Sequence, residues 1–201
     1  MRWLERTLGG IGIALFGLCA WSWLDAGLYQ TLQGRRLDAL LGSLSRDGSG
    51  GSLPGGIASI TRAQAGKSGL VGRISIERLG IDAVVAEGTR SRTLRRAVGH
   101  VSGTAFPGEP GNVALAGHRD TFFSGLRGVR TGDRIDVTTP DGRFEYRVIS
   151  RTVVGPERGE VLAASDTPTL TLITCFPFQY VGPAPGRFIV RARQALPARP
   201  D

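Results

Sequence analysis

Residues 169–190 read TLTLITCFPFQYVGPAPGRFIV, which is two strand-like runs joined by a loop rich in Gly and Pro. Short runs of this kind recur along the second two thirds of the chain and are separated by turn residues, a pattern typical of β-strands. The candidate strands are VGRISI (71–76), DAVVAE (82–87), NVALAG (112–117), RIDVTT (134–139), RFEYRVISRTVV (143–154), TLTLIT (169–174) and RFIVRA (187–192). Helical signal in this region is confined to one turn near residues 122–126. The pattern predicts an all-β domain, either a closed barrel or a sandwich.

The chain is strongly basic, with 25 Lys and Arg against 17 Asp and Glu among its 201 residues and a net charge of +8. Nearly all of the positive charge is arginine, and Lys67 is the one lysine. Nucleic-acid binders usually carry a clustered basic stripe with interleaved aromatic residues, whereas these arginines are spread along the strands. We therefore expect no nucleic-acid partner and favour an anionic envelope or membrane surface.

The N-terminal part contains an uncharged run, LGGIGIALFGLCAWSWL, at residues 8–24. Arg2 and Arg6 precede it, which favours a cytoplasmic N-terminus. The run predicts an uncleaved, single-pass transmembrane helix that leaves the folded domain outside the cytoplasm. A cleaved signal peptide has a similar layout, but Trp21 and Trp23 fit its cleavage signal poorly. A buried core helix is the remaining alternative.

The domain organisation follows from composition. Residues 1–29 are assigned to the membrane anchor and residues 30–68 to a polar helix followed by a flexible tether. The tether is rich in Gly and Ser, reading SRDGSGGSLPGG at residues 45–56, and cannot bury enough surface to fold alone. Residues 69–195 are assigned to the strand-rich folded domain, and residues 196–201 to a C-terminal tail.

Three side chains at strand ends could carry chemistry. Cys175 ends the run TLTLIT, His118 directly follows NVALAG, and Arg187 opens the last strand. A thiolate is a nucleophile, an imidazole moves protons, and a guanidinium can stabilise an oxyanion without titrating. Cys19 lies in the N-terminal apolar run, so a disulfide with Cys175 is geometrically implausible. The folded domain therefore holds one free thiol.

The same residues also have non-functional interpretations. A single cysteine in a strand is often an inert core residue, and a histidine near a turn is usually not catalytic. Arginine at the start of a strand is usually solvated. Asp120, two residues after His118, could orient the imidazole or cap the following turn. On the residues alone, a Cys/His enzyme and a non-catalytic barrel stay about equally supported.

Longer stretches resemble a known family. The segments GHVSGTAFPGEPGN (99–112), NVALAGHRDTFF (112–123) and TLTLITCFPFQYVGPAPGRFIV (169–190) are similar to sortases, with the strongest similarity to the class D group. The resemblance extends over residues 71–193, nearly all of the folded domain. It implies a closed eight-stranded sortase-type β-barrel with short helical turns.

By motif position, the resemblance assigns the nucleophile to Cys175, the acid/base to His118 and the transition-state arginine to Arg187. It also implies supporting or groove-shaping positions for His100, Asp120, Thr174 and Phe176, of which Phe176 replaces a tyrosine common in the family. The implied reaction cleaves an LPxTG-like C-terminal sorting signal of an exported protein through a thioacyl intermediate. The product is then transferred to an amine acceptor such as a cell-wall precursor. The resemblance implies no cofactor and no metal site.

Two other functions are considered. A membrane-tethered cysteine endopeptidase would use the same three residues with water as the acceptor. A non-catalytic β-barrel binding module would leave Cys175 inert. The sorting signal, the acceptor and the oligomeric state do not follow from the sequence.

Overall fold

The computed structural model describes residues 2–46 and 58–195, so residues 47–57 of the predicted tether and the predicted tail at 196–201 lie outside the described residues. Eight strands form the main body. They are β1 (Leu70–Ile76), β2 (Ile81–Glu87), β3 (Val98–His100), β4 (Asn112–Ala116), β5 (Arg134–Thr139), β6 (Gly142–Val154), β7 (Thr169–Phe176) and β8 (Gly186–Gln194). The helices are α1 (Arg2–Arg46), α2 (Ala58–Ser68) and α3 (Ser91–Leu94). Single 3-10 turns occupy Glu77–Leu79, Ser124–Gly128 and Gly159–Leu162.

The strands close into one barrel in the order β1-β2-β3-β4-β7-β8-β6-β5, and β5 pairs back onto β1. The pairs β2/β3 and β4/β7 are parallel, and the others are antiparallel. The prediction of a closed eight-stranded barrel is confirmed. Strand β3 was not among the seven predicted strands, because three residues are too short to display a two-residue period.

The barrel interior is filled by alternate residues of each strand. In β5, for example, Ile135 and Val137 are fully buried while Asp136 between them is partly exposed. This alternation is expected because successive side chains of a strand point to opposite faces. Each strand therefore directs one set of side chains into the apolar core and the alternate set to the outer face of the barrel wall.

Helix α1 continues past the predicted boundary at residue 29 and packs along the outside of the barrel. The Asp25 carboxylate accepts hydrogen bonds from Arg96 Nε and Nη2 at 2.5 and 2.8 Å. The Gln30 amide donates to the Arg96 carbonyl at 2.6 Å and accepts from the Val84 N–H at 2.8 Å. Leu37 is 1% exposed and packs against β1 and β2. This part of α1 is thus attached to the barrel by polar contacts of Asp25 and Gln30 and by an apolar contact of Leu37.

The start of α1 has a different character. Leu8, Ile13, Phe16 and Trp21 are exposed. Within the described residues, however, no helix combines the length and the apolar character that crossing a bilayer requires. The predicted transmembrane helix is therefore not supported. The run at residues 8–24 contains four glycines, which add length to the helix but little apolar character.

Helix α2 lies inside the stretch that composition assigned to the tether. Ala65 is buried in the barrel core, and Asp141 Oδ2 accepts a hydrogen bond from the Thr61 N–H at 3.0 Å. The Arg62 guanidinium contacts both carboxylate oxygens of Glu109 at 2.7 and 2.8 Å. It also lies 4.7 Å from the centre of the Phe106 ring. The helix therefore packs against the barrel rather than only linking it to α1. The sequence did not predict this helix because its residues show little amphipathic periodicity.

We expect α2 to contribute measurably to stability. A chain that begins at Ala58 should be more stable than one that begins at Gly69 by roughly 1–3 kcal/mol, from one buried methyl, one hydrogen bond and an exposed bidentate ion pair. Urea denaturation of the two purified chains measures the difference. Identical midpoints and slopes would show that α2 contributes nothing to the fold.

Candidate active site

The ends of three neighbouring strands meet at one edge of the barrel. Strands β4 and β7 are parallel, so their C-terminal ends lie together, and the antiparallel β8 begins at the same edge. His118 follows β4 by two residues, Cys175 is the penultimate residue of β7, and Arg187 is the second residue of β8. The topology therefore brings together the three residues that the sequence singled out.

Cys175 and Arg187 are direct cross-strand partners in the β7/β8 ladder. Directly opposite residues of an antiparallel pair project to the same face, with Cβ atoms about 4.5–5.5 Å apart. The neighbouring pair, Thr174 and Phe188, is buried on the core side. By alternation, Cys175 and Arg187 project from the outer face of the wall. Cys175 is a free, half-buried thiol.

The contacts between β4 and β7 continue past the end of β4 to Gly117, the residue before His118. Ala116 pairs with Ile173, and the next N–H, that of Gly117, donates to the Ile173 carbonyl at 3.0 Å. The buried Thr174 hydroxyl then donates to the Gly117 carbonyl at 2.7 Å. Continued by two residues, this parallel register would set residue 118 level with Cys175 on the adjacent strand. Thr174 thus supports the site from the core side and does not line the outer face.

Gly117 is required at this point by close packing. A Cβ atom built there would lie 2.8–3.1 Å from atoms of the fully buried Phe123 ring. The Phe123 N–H also donates to the His118 carbonyl at 3.1 Å, so the turn after β4 folds back over Gly117. The backbone that carries His118 is thereby fixed on both sides.

Arg187 is half-buried, and its hydrogen bonds within the described part of the chain both use Nη1. That nitrogen donates to the carbonyls of Gly186 at 3.0 Å and Ala184 at 3.4 Å. The guanidinium therefore keeps Nε and Nη2 for another acceptor. A planar donor group held in this way, opposite a thiol, suits an oxygen that becomes negatively charged.

Phe176 belongs to an aromatic cluster. Its ring stacks on that of Phe188 with 6.3 Å between ring centres, and Phe178 meets the same ring edge-on at 5.3 Å. Phe176 and Phe178 pack against the core. The cluster holds the beginning of the loop after β7, so Phe176 contributes packing beside the site.

His100 is placed away from the outer face. It is fully buried, and its ring nitrogens lie 2.6 Å from Glu87 Oε2 and 2.9 Å from the Ala105 carbonyl. It is also 3.2 Å from Thr104 Oγ1, and its ring packs 4.4 Å from that of Phe106. These contacts make His100 an internal link between β2, β3 and the following loop.

Asp120 is exposed, and no hydrogen bond joins it to His118 in the described structure. It lines a cavity of about 670 Å³ bounded by α1, the turn between β1 and β2, and the loop after β4. Among residues 2–46 and 58–195, no group of three or more His, Cys, Asp and Glu side chains is arranged to hold a metal ion.

Arg119 is a residue of this site that sequence reasoning did not single out. It follows His118 directly and donates hydrogen bonds to carbonyls of the loop after β7. Its one sequence signal is its position next to the candidate acid/base.

Comparison with known proteins identifies the family. Residues 74–195 match the sortase domain model, and this match spans more than half of the chain. Sortase D of Bacillus subtilis (strain 168) is 31% identical over 124 residues, which cover 61% of this chain and 63% of that protein. The chain belongs to the sortase family, as its sequence motifs predicted. The match thus extends over less than two thirds of the length of this curated relative.

Solved structures agree with this assignment. A Clostridium perfringens Sortase D5 transpeptidase has a TM-score of 0.58 at 30% identity, covering 69% of this chain and 91% of that chain. A Clostridium perfringens sortase C solved with the C-terminal cell wall sorting motif has a TM-score of 0.58 at 27% identity, covering 63% of this chain and 70% of that chain. Class D sortases are thus among the most similar relatives.

The hydroxyl of Thr174 provides a test of the ladder that aligns His118 with Cys175. Thr174→Val keeps the shape but leaves the Gly117 carbonyl without its donor, which we expect to cost about 1–3 kcal/mol. Thr174→Ser keeps the hydroxyl and serves as the matched control. Thermal unfolding of both variants measures the effect. A valine variant as stable as the serine variant would contradict the assigned role of the hydroxyl.

Proposed function

We propose that this chain is a cysteine transpeptidase in which Cys175 is the nucleophile, His118 the general acid/base and Arg187 the oxyanion-stabilising residue. The observation that carries the proposal is the register of β4, β7 and β8. It brings a free thiol opposite a guanidinium and next to the element that carries an imidazole. Sortases as a family are cysteine transpeptidases, and family membership supports the same chemistry here.

The reaction follows from these positions. The Cys175 thiolate attacks a peptide carbonyl, and the resulting oxyanion accepts hydrogen bonds from the free N–H groups of Arg187. The C–N bond breaks, His118 donates a proton to the leaving amine, and a thioester remains on Cys175. An incoming amine then attacks the thioester, His118 takes up its proton, and the thiolate leaves.

The proposed substrate is an LPxTG-like C-terminal sorting signal of an exported protein, and the proposed acceptor is an amine such as a cell-wall precursor. Support comes from the similarity to a Clostridium perfringens sortase C solved with its C-terminal cell wall sorting motif. The outer-face position of Cys175 and Arg187 also suits a peptide chain, because an extended segment can lie along the wall between β4 and β7.

The activity test uses a fluorogenic LPxTG-type peptide with and without an added amine such as triglycine. We expect a ligated product in the presence of the amine and loss of all turnover in Cys175→Ala. Removing a general acid/base typically lowers the rate by about 10²–10⁴-fold. We therefore expect His118→Ala to lower turnover by at least about 10²-fold.

The control for His118→Ala is His100→Ala, which removes the other histidine. We expect His100→Ala to lower stability more than it lowers the turnover of the folded fraction, because that imidazole is an internal link. Turnover by purified Cys175→Ala would remove the cysteine mechanism. If only hydrolysed product formed at saturating amine, the enzyme would be an endopeptidase and not a transpeptidase.

We further propose that the N-terminal run attaches the enzyme to the cell membrane, with the barrel on the extracytoplasmic side. The support is the absence of charge over residues 8–24, the exposure of their described apolar side chains, and the basic residues Arg2 and Arg6 ahead of them. Fractionation of cells that express the whole chain, compared with a chain lacking residues 1–24, tests this. Recovery of both chains in the same soluble fraction would overturn it.

A further inference from the structure

The loop at residues 177–185 connects the strand that carries Cys175 to the strand that carries Arg187. Phe178 packs against the core near the start of this loop, but the residues after it are poorly packed: Val181 is fully exposed and Tyr180 is 46% exposed. In the part of the chain that the structure describes, the carbonyls of this loop accept hydrogen bonds only from Arg119 and Arg187. Beyond Phe178, the shape of the loop therefore depends on two guanidinium groups.

Arg119 makes the larger share of these contacts. Its Nη1 donates to the Pro177 carbonyl at 2.9 Å, and its Nη2 donates to the carbonyls of Tyr180 at 2.6 Å and Gly182 at 3.5 Å. The guanidinium also lies 5.8 Å from the centre of the Tyr180 ring. Two nitrogens of one planar group thus gather carbonyls spread over six residues. A lysine ammonium lacks this fixed fork.

The base of this contact is rigid. Arg119 follows His118, whose carbonyl accepts the Phe123 N–H and whose preceding residue is paired to β7. The far end of the loop leads to Ala184 and Gly186, the two carbonyls that bind Arg187. A continuous set of contacts therefore runs from the His118 turn through Arg119 and the loop to Arg187.

We infer that Arg119 is a positioning residue that holds the 177–185 loop in the shape that orients Arg187 toward the reacting carbonyl. Arg119 acts on the reaction through Arg187, because its own N–H groups are directed to loop carbonyls. The inference rests on the proposed catalytic role of Arg187. It predicts that loss of Arg119 lowers kcat, as a misplaced Arg187 would, and leaves the reactivity of the Cys175 thiol unchanged.

The test measures turnover of the sorting peptide by the whole chain carrying Arg119→Gln, Arg187→Lys or both. We expect Arg119→Gln to lower kcat by roughly tenfold with KM changed less than about twofold, the pattern of an interaction made in the transition state. In the Arg187→Lys background, Arg119→Gln should lower kcat by less than about twofold, because Arg119 acts through Arg187. Alkylation of Cys175 by iodoacetamide should keep the wild-type rate in all three variants.

A second measurement reports on the loop itself. Chymotrypsin cleavage after Tyr180 should be faster in Arg119→Gln than in wild type, at an unchanged melting temperature. Arg193→Gln is the matched control, because Arg193 is exposed at the other end of β8 and should change neither kinetics nor cleavage. Arg119→Lys retains the charge and covers the case in which the glutamine variant fails to fold. It should show the same pattern with a smaller loss of kcat.

The outcomes separate this inference from the proposed function. Wild-type kcat in Arg119→Gln, or equal losses from it in the wild-type and Arg187→Lys backgrounds, would overturn the positioning role while leaving the transpeptidase intact. Unchanged chymotrypsin cleavage would overturn it too. A wild-type chain without turnover, or full activity in Arg187→Lys, would instead overturn the proposed function.

Discussion

The site depends on the register of the parallel pairing between β4 and β7. These strands are distant in sequence, and their ladder joins Asn112 to Thr169 at one end and Ala116 to Ile173 at the other. Because side chains alternate along a strand, a slip of one residue would turn Cys175 from the outer face into the core. Each end of the ladder therefore needs a specific lock.

The two locks are buried side-chain hydrogen bonds. At the far end, Asn112 Oδ1 accepts from the Thr171 hydroxyl at 2.7 Å, while Asn112 Nδ2 donates to the carbonyls of Val161 and Ala163 at 3.0 and 3.1 Å. At the site end, the Thr174 hydroxyl bonds the Gly117 carbonyl. Buried polar groups are costly unless they are paired, so these bonds penalise every alternative register. A single Asn also ties the crossover at 159–163 to the ladder.

The sequence predicted most of the barrel and singled out Cys175, His118 and Arg187 as candidate site residues, because strands and the residues that end them leave local signals. Alternation in runs such as RIDVTT marks strands, and Cys175 and His118 end such runs. Strand β3 left no signal, since its three residues are defined by their pairing with β2 and β4 on either side. Helix α2 was missed for a similar reason: Ala65 and Thr61 are buried only because the barrel covers them. Both elements form through contacts with residues that are distant in sequence, and a local sequence pattern does not reveal such contacts.

The roles of the individual arginines could not be predicted from the sequence. The chain carries many arginines, and composition treats them alike as solvated positive charge. They differ in the groups that they bind. Arg96 binds a carboxylate of α1, Arg62 of α2 binds Glu109 of the barrel domain, and Arg119 binds carbonyls of a loop. An ion pair between exposed groups adds little stability, whereas a guanidinium that gathers several carbonyls restricts the conformations of a segment with few contacts of its own. Since the wall that positions Cys175 is already fixed by the core and by the two locks, the adjustable part of this site is the loop. The residues that shape the loop can therefore vary without disturbing the register on which the barrel depends.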